Sequence, residues 1–276
     1  MQLDDPNAAR TFALVGPGRA GGAVARALIA AGWHASAVAG REMSAGSTRR
    51  MAADLSAEAC PSAEVGLGAD LIVIATPDAA IAEASELAVE ALPPGSLLVH
   101  LSGSRGLSEL AAAAERRPDV RYGALHPLVT IAAPDADLPA DGWCAVAGDP
   151  DVYRLAATLG LQAFAIADDQ RGRYHATAAV AANHLVALMG QVDRLARSVG
   201  VPFEAFAPVA RAALDNCFDR GPREALTGPV ERGDHATVER HLRDVPEREL
   251  VAYRALAAAA LDLCGHDDPE LAARLR

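Results

Sequence analysis

Short apolar runs alternate with helical patterns along the first part of the chain. TFALV (Thr11–Val15) is apolar and partly β-branched, and the same character returns in WHASAVAG, ADLIVIATP, GSLLVHLSG, VRYGALHP, WCAVAGD and QAFAIAD. Segments between these runs place apolar side chains at helical spacing, as Ala23, Ala27 and Ala30 do after the first run. Strands that alternate with helices in this way predict an α/β fold with a doubly wound, mostly parallel sheet.

The pattern changes near Asp168, because no run after this residue predicts a strand. One helical pattern extends from about Asp169 to Val199 and is followed by Gly200, which favours a helix stop. Further helices are predicted at about Glu204–Asp219, Asp234–Asp244 and Glu247–Cys264, with Asp234 as an N-cap. The sequence therefore predicts two domains, a sheet domain at residues 1–167 and an all-α domain at residues 168–276.

Three glycines follow the first predicted strand in a G-x-G-x-x-G spacing. Gly16, Gly18 and Gly21 lie in LVGPGRAGGAVARAL, between that strand and a predicted helix. Without Cβ atoms the backbone can approach a pyrophosphate closely, and the helix start offers free N–H groups, here those of Gly18, Arg19 and Ala20. The motif predicts a Rossmann-type dinucleotide site at these five residues. The alternative is a glycine-rich strand-to-helix turn that holds no ligand.

The end of the second predicted strand bears on which dinucleotide is bound. A carboxylate there takes the ribose hydroxyls of NAD, whereas an arginine accommodates the 2′-phosphate of NADP. This strand ends VAGRE, with Arg41 first and Arg49 and Arg50 shortly after. We therefore predict NADP as the cofactor. Glu42 is close enough to keep NAD possible, and Arg41 could also be an ordinary solvated charge.

Polar side chains follow the later predicted strands, at the edge where doubly wound sheets bind ligands. Thr76 and Asp78 follow IVIA and could instead cap the next helix. His100 and His126 end two further strands, and either could be a structural histidine rather than a functional one. The predicted roles at this edge are cofactor binding for Thr76, Pro77 and Ser102, substrate binding for His100, and catalysis for His126.

Composition excludes several classes of function. The formal net charge of −11 argues against binding to nucleic acid or to anionic membranes, and no apolar run is long enough for a membrane span. The chain has no lysine, so lysine Schiff-base chemistry is excluded. Its four cysteines are far apart and not in metal-ligand spacing, which predicts reduced thiols and no metal site. The first ten residues are polar and acidic, unlike a secretory signal, so we expect a cytoplasmic protein.

Motifs along most of the chain resemble one group of proteins. In order, they are LVGPGRAGGAVARAL, IVIATPDAAI, VHLSG, GALHPLVT, RYHATAAVAANHL, ALTGPVERGD and TVERHL, from about Thr11 to Cys264. Together they resemble bacterial Rossmann-like proteins with a C-terminal helical domain of unknown function. These are relatives of pyrroline-5-carboxylate reductase and of the 6-phosphogluconate and 3-hydroxyacid dehydrogenases. Some members are regarded as alternative ketopantoate reductases.

The resemblance implies an NAD(P)-dependent oxidoreductase that acts on a small anionic substrate. The expected reaction is hydride transfer to a carbonyl or imine of a small carboxylate, and 2-dehydropantoate is the best single expectation. The alternative is a non-catalytic NADP-binding regulatory or partner protein. The resemblance and the alanine-rich helical half also lead us to expect a homodimer formed through the helical domain.

The predicted long helix carries a second group of polar residues. His175 and Asn183 are eight residues apart and lie on nearly one stripe of an α-helix, with Ala179 between them. Hydroxyacid dehydrogenase relatives place a lysine and an asparagine one turn apart on this helix. Asn183 matches the asparagine, whereas Ala179 stands at the lysine position, so His175 or a strand-end histidine would donate the proton. Helix–helix hydrogen bonds, including bonds across a dimer interface, are the structural alternative, and the missing lysine could also mean that catalysis is absent.

The stretch ALTGPVERGDHATVERHL is the most unusual polar stretch of the helical half. Pyrroline-5-carboxylate reductases have a related Gly- and Thr-rich loop that holds the substrate carboxylate. By similarity, Thr227, Gly228 and Arg232 are candidates for binding an anionic substrate, with the guanidinium as a bidentate clamp. The alternative is a helix connector capped by Asp234.

Overall fold

The computed structural model describes residues 10–133, 135–265 and 267–276. The expectation about a secretory signal therefore refers mainly to residues outside the described part. Two compact units are formed, the first ending at Ala182 and the second running from Asn183 to Arg276. The sequence placed this division after residue 167. In the described ranges, no helix combines the length and the apolar character needed to cross a membrane.

The first unit is built on an eight-stranded sheet. The strand order is β3-β2-β1-β4-β5-β6-β7-β8, and every pairing is parallel except the antiparallel pair β6–β7. The strands are β1 (Thr11–Val15), β2 (His34–Ala39), β3 (Glu58–Ala59), β4 (Leu71–Ile74), β5 (Leu97–His100), β6 (Arg121–Pro127), β7 (Trp143–Gly148) and β8 (Gln162–Ala165). The predicted α/β fold with a mostly parallel sheet is confirmed.

Helices cover both faces of this sheet, so its central strands are buried throughout. Phe12 and Leu14 of β1 pack into one core, whereas Ala13 and Val15 pack into another, as the alternation of a strand requires. All four residues of β4 are buried. The helices of this unit are α1 (Arg19–Ala30), α2 (Gly46–Asp54), α3 (Ile81–Ala88), α4 (Ala111–Arg116), α5 (Asp151–Thr158) and α6 (Arg171–Ala179).

The second unit is helical, and no strand follows β8 in the part of the chain that the structure describes. Asp234 caps α10 by accepting a hydrogen bond from the Thr237 N–H, which confirms the predicted N-cap. The helices are α7 (Leu185–Ser198), α8 (Ala207–Arg220), α9 (Pro222–Ala225), α10 (His235–Asp244), α11 (Glu247–Cys264) and α12 (Pro269–Leu275). Residues of α10, α11 and α12 form a separate small core that includes Val238, Leu261 and Leu271.

The predicted long helix is not one regular α-helix. A π-helical segment, Val180–His184, separates α6 from α7. The side chains of Arg171 and Tyr174 on α6 bond to Ser102 and His126 of the sheet unit, so α6 belongs to the first unit. These contacts explain why the division falls after Ala182 rather than before α6. Sequence periodicity could not reveal them.

Candidate functional site

The glycine turn after β1 uses its glycines in two different ways. Gly16 has a φ of +98°, and a Cβ atom placed on it would lie 2.6 Å from the carbonyl carbon and oxygen of Ala75. A Cβ on Gly21 would lie 2.7 Å from the Gly16 oxygen. Both positions need glycine so that the turn and α1 can pack against β4. A Cβ on Gly18, in contrast, would meet nothing within 4 Å, so this face of the turn is open.

The first turn of α1 has the chemistry of an anion site. Gly18 is its N-cap and offers no side chain, so the backbone donors of Arg19 and Ala20 are not capped from within the helix. The Gly18 N–H donates to the Gly16 oxygen at 2.8 Å, and this corrects the expectation that it is free for a ligand. Beside the turn, Thr76 Oγ1 is buried without a hydrogen-bond partner in the described structure. The open Gly18 face and this unpartnered oxygen fit a bound dinucleotide.

A cavity of about 420 Å³ extends from the α1 N-terminus along the carboxyl ends of β4, β5 and β6. It brings together many of the predicted site residues. Those that line it are Gly18, Arg19, Ala20, Thr76, Ser102, His126 and His175. Other described lining residues are Ala75, Asp78, Leu101, Gly103, Pro127, Val129 and Ile131. Gly16, Gly21, Pro77, Arg41 and His100 are not among the described residues that line this cavity.

Basic residues cluster just after β2. Arg41, Arg49 and Arg50 are all exposed. Gly40, which precedes them, packs closely on Pro17 and Thr48, so a Cβ there would lie 3.3 Å from Pro17 Cδ. The β2 end and the glycine turn are therefore in contact, and the arginine cluster follows directly on that contact.

His100 is a structural histidine in this fold. Its ring is fully buried, its Nε2 lies 3.1 Å from the Gly106 oxygen, and its Nδ1 accepts from the Ser102 N–H at 3.2 Å. Both ring nitrogens thus hold the loop after β5, and neither is free for a ligand. Burial is the main cause that lowers the pKa of His100, to about 4, so the ring is neutral at pH 7. The predicted substrate contact of His100 has no support in this geometry.

Asp78 is the acidic residue of the cavity. It does not cap the following helix, and it accepts a 2.5 Å hydrogen bond from Ser104 Oγ, with the Arg105 guanidinium 3.9 Å away. Burial raises the pKa of this carboxyl, but hydrogen bonds from Ser104 and Ser102 and the charges of Arg105 and His175 outweigh it and lower the pKa. Asp78 is therefore a carboxylate at neutral pH.

His126 and His175 both line the cavity, and their rings lie edge to face. Their ring centroids are 6.0 Å apart, and Gly103 sits against both rings. His126 Nδ1 lies 2.7 Å from the Tyr174 hydroxyl, and the two rings meet edge to face. Burial first, and then the charges of His175 and Arg171, lower the pKa of His126 to about 4. His126 is thus a neutral imidazole in the wall of the cavity.

Sequence reasoning missed Tyr174 and Arg171. Arg171 is fully buried, and its Nη1 donates to the Ser102 oxygen at 3.2 Å while its Nε lies 3.6 Å from Asp168. Burial lowers the pKa of its guanidinium. Tyr174 precedes His175 in YHATAAVAAN, and that adjacency was the available signal. The sequence contains no signal for Arg171, because an arginine at the start of a helix is ordinarily exposed.

The remaining predicted residues belong to the second unit. Asn183 is exposed within the π-helical segment, a feature that often accompanies functional sites. The π-segment also breaks the regular α-helical spacing on which its predicted stripe was based. Gly228 has a φ of +109° and its oxygen accepts from the Arg232 N–H, while the side chains of Thr227 and Arg232 are exposed. The substrate-binding role of Thr227, Gly228 and Arg232 stays a prediction. The feature named in the alternative interpretation, a helix capped by Asp234, is present.

Two family models match this chain. A Rossmann-like domain matches residues 4–127, and a Domain of unknown function (DUF2520) matches residues 144–260. The resemblance to Rossmann-like proteins with a helical domain of unknown function is thereby confirmed. A search of the curated proteins found no match.

Solved structures share the whole fold at low sequence identity. A protein described as an NADP oxidoreductase from Bacteroides fragilis has a TM-score of 0.76 at 22% identity, covering 92% of this chain and 98% of that chain. A protein from Thermotoga maritima has a TM-score of 0.69 at 21% identity, with coverage of 92% and 98%. A reductive aminase from Aspergillus terreus, in complex with NADPH and ethyl-5-oxohexanoate, has a TM-score of 0.59 at 18% identity, with coverage of 97% and 91%.

Proposed function

We propose that this protein is an NADP-dependent reductase that acts on a small carbonyl or imine carboxylate. Its chain combines a match to a Rossmann-like domain with a match to a Domain of unknown function (DUF2520). One observation carries the proposal. One cavity is lined both by Gly18, Arg19 and Ala20 at the α1 N-terminus and by the pair His126 and His175. A dinucleotide site that opens onto polar, titratable side chains is the arrangement expected of a dehydrogenase or reductase.

The residues that would hold the cofactor follow from the site. The N–H groups of Arg19 and Ala20 would bind the pyrophosphate, and the open face of Gly18 would let it approach. The exposed Arg41 would pair with a 2′-phosphate, which favours NADP over NAD. The hydroxyl of Thr76 would meet the part of the ligand that lies over the end of β4. When bound, the nicotinamide supplies the hydride.

The part of the cavity beside His126 and His175 would bind the reducible group. His126 and His175 flank Gly103 there, and Asp78 contributes a fixed negative charge. Imidazole N–H groups can hydrogen-bond a carbonyl oxygen or an imine nitrogen and stabilise it as it gains charge. Asn183, Thr227, Gly228 and Arg232 are proposed to bind the substrate carboxylate, on the strength of the family resemblance. Within this class 2-dehydropantoate, reduced to pantoate, is the proposed substrate.

The test is consumption of NADPH, followed by its absorbance, against a panel of 2-oxo acids and cyclic imines that includes 2-dehydropantoate. Turnover of at least one compound supports the reductase, and turnover of 2-dehydropantoate supports the finer proposal. NADPH binding without turnover on any compound would favour a non-catalytic NADP-binding protein. His126→Gln, in the cavity, is compared with His34→Gln, an exposed histidine at the start of β2. Only the first is expected to reduce turnover.

We also propose that the protein forms a homodimer through its helical unit. None of the described residues of α8, a helix of 14 residues, is buried. Val209, Leu214 and Phe218 on this helix are exposed to 63%, 38% and 89%. An isolated helix of about 12–15 residues is only marginally stable in water. A second copy that covers these apolar side chains would supply the missing burial.

A further inference from the structure

We propose that Tyr174 is a positioning residue that holds His126 in one tautomer, with the proton on Nε2, so that this N–H points at the reducible group. This inference rests on the proposed reductase function. Tyr174 itself is not among the described residues that line the cavity, so it would act through His126 rather than on the substrate.

The geometry separates the two nitrogens of His126. Nδ1 is 2.7 Å from the Tyr174 hydroxyl, whereas Nε2 has no hydrogen-bond partner in the described ranges. Nε2 lies against Gly103, since a Cβ placed on Gly103 would be 2.8 Å from it, and Gly103 and His126 both line the cavity. The other flank of Gly103 is equally close to His175 Cδ2. Nε2 is therefore the ring nitrogen of His126 that remains for a ligand in this cavity.

Hydrogen-bond satisfaction selects the tautomer. The contact between Nδ1 and the hydroxyl needs one proton, which comes either from the tyrosine or from the imidazole. If Nδ1–H donated to the phenol oxygen, the tyrosine O–H would need a further acceptor, and the described residues provide none. If the tyrosine O–H donates to Nδ1, the hydroxyl proton and the Nδ1 lone pair are both satisfied, and only Nε2 is left for a ligand. The imidazole proton then resides on Nε2.

The charge states agree with this assignment. Burial raises the pKa of Tyr174 to about 12, so its hydroxyl keeps the proton that it donates. His126 has a pKa of about 4, chiefly because of burial, so the imidazole is neutral at pH 7. A neutral Nε2–H stabilises a forming negative charge by hydrogen bonding and does not hand over an imidazolium proton. This changes the predicted catalytic role of His126 from proton donor to hydrogen-bond donor, and the proton that completes the reduced product then comes from solvent water.

The chain contains a matched control. Tyr253 and His241 in the helical unit repeat the arrangement, with Nδ1 2.8 Å from the hydroxyl and edge-to-face rings at 5.9 Å. Neither residue is among the described residues that line the cavity. Tyr253→Phe therefore removes an equivalent hydroxyl elsewhere in the chain, and it is compared with Tyr174→Phe throughout.

The decisive measurement is the ¹⁵N NMR spectrum of the histidine side chains in ¹⁵N-labelled protein at pH 7. The His126 signals are identified as those that disappear from the spectrum of His126→Gln. In the wild type we expect a protonated Nε2 and an unprotonated Nδ1. In Tyr174→Phe the two nitrogens should approach each other in shift as both tautomers become populated. Tyr253→Phe should leave the His126 signals unchanged. A wild-type His126 protonated on Nδ1, or an unchanged pattern in Tyr174→Phe, would overturn the proposal.

Turnover gives the second readout. Tyr174→Phe should lower kcat about twofold, the loss expected when only about half of the molecules keep the proton on Nε2, with NADPH affinity retained. Tyr253→Phe should keep wild-type kcat. Equal kcat in wild type and Tyr174→Phe would refute the positioning role. If the wild type turns over no compound, the proposed function fails, and the tautomer measurement, which needs no substrate, still decides how Tyr174 acts on His126.

Discussion

Alanine at Gly16 should lower stability, whereas alanine at Gly18 should weaken cofactor binding and leave stability nearly unchanged. At Gly16, the positive φ adds backbone strain of roughly 1–3 kcal/mol, and the new methyl group meets the Ala75 carbonyl. Overpacking against backbone that cannot move adds roughly 1–3 kcal/mol. We expect Gly16→Ala to lose roughly 2–6 kcal/mol of unfolding free energy by these two effects together.

At Gly18 the φ is −93° and the space beyond the Cα is open. Alanine is a poorer N-cap than glycine, but it also lowers the entropy of the unfolded chain, and the two effects oppose each other. Stability should stay within about 0.5 kcal/mol of wild type. The methyl group would nevertheless occupy the space through which a pyrophosphate approaches. We expect at least a tenfold weaker NADPH affinity, about 1.4 kcal/mol.

Denaturant unfolding measures the first effect, and fluorescence titration with NADPH measures the second. The two variants serve as controls for each other, because they place the same methyl group two residues apart. Wild-type NADPH affinity in a folded Gly18→Ala would refute the assignment of this turn as the pyrophosphate site. Wild-type stability in Gly16→Ala would refute the packing argument.

Three further outcomes are expected. Arg41→Ala should weaken NADPH binding about tenfold relative to NADH in fluorescence titrations, because it removes the arginine proposed to meet the 2′-phosphate. His235 pairs with Asp268 at 2.7 Å, with Glu270 and Arg274 nearby, and the hydrogen bond to Asp268 raises its pKa. Its stabilising effect is therefore complete below the unfolded pKa of about 6.5 and is lost as the pH rises through the raised folded pKa. The Tm gap between wild type and His235→Gln should shrink from pH 6 to pH 8.5. Phe218→Asp should convert the proposed dimer to a monomer in light scattering at micromolar concentration.

Each outcome has a result that would contradict it. Equal losses for NADPH and NADH in Arg41→Ala would remove the 2′-phosphate argument. A Tm gap that stays constant with pH would mean that His235 is not protonated in the pair. A monomeric wild type would end the dimer proposal, and a dimeric Phe218→Asp would move the interface away from α8.

The sheet and the glycine turn after β1 could be predicted because their signals are local. The apolar run of β4 and the glycine spacing before α1 each fix a conformation within a few residues. His100 and His126 show where such reasoning stops. Both end a β-strand and have similar sequence surroundings, yet one is fully buried with both nitrogens used and the other faces the cavity. The difference depends on Gly106 and Tyr174, which tertiary packing brings in.

The helical half illustrates a second limit. Its helix ends were predictable from caps, as Asp234 shows, and α11 starts and stops where the pattern predicted. The π-helical segment and the membership of α6 in the sheet unit could not be predicted. A periodicity of 3.6 residues fits any regular helix and does not show where a helix is interrupted or what it packs against. Arg171 is the clearest case, because it is fully buried and bonds to Ser102 in the loop after β5, 69 residues earlier in the chain.

The row of aromatic rings beside the cavity also gives the protein an internal optical probe. Trp143, Phe164, Tyr174 and His126 follow one another at centroid distances of 6.2, 5.7 and 5.6 Å. Trp143 is half exposed and is one of two tryptophans in the chain, while the other, Trp33, is buried. Reduced nicotinamide absorbs where tryptophan emits. Quenching of Trp143 emission, isolated with a Trp33→Phe background, should therefore report occupancy of the cavity without any added label.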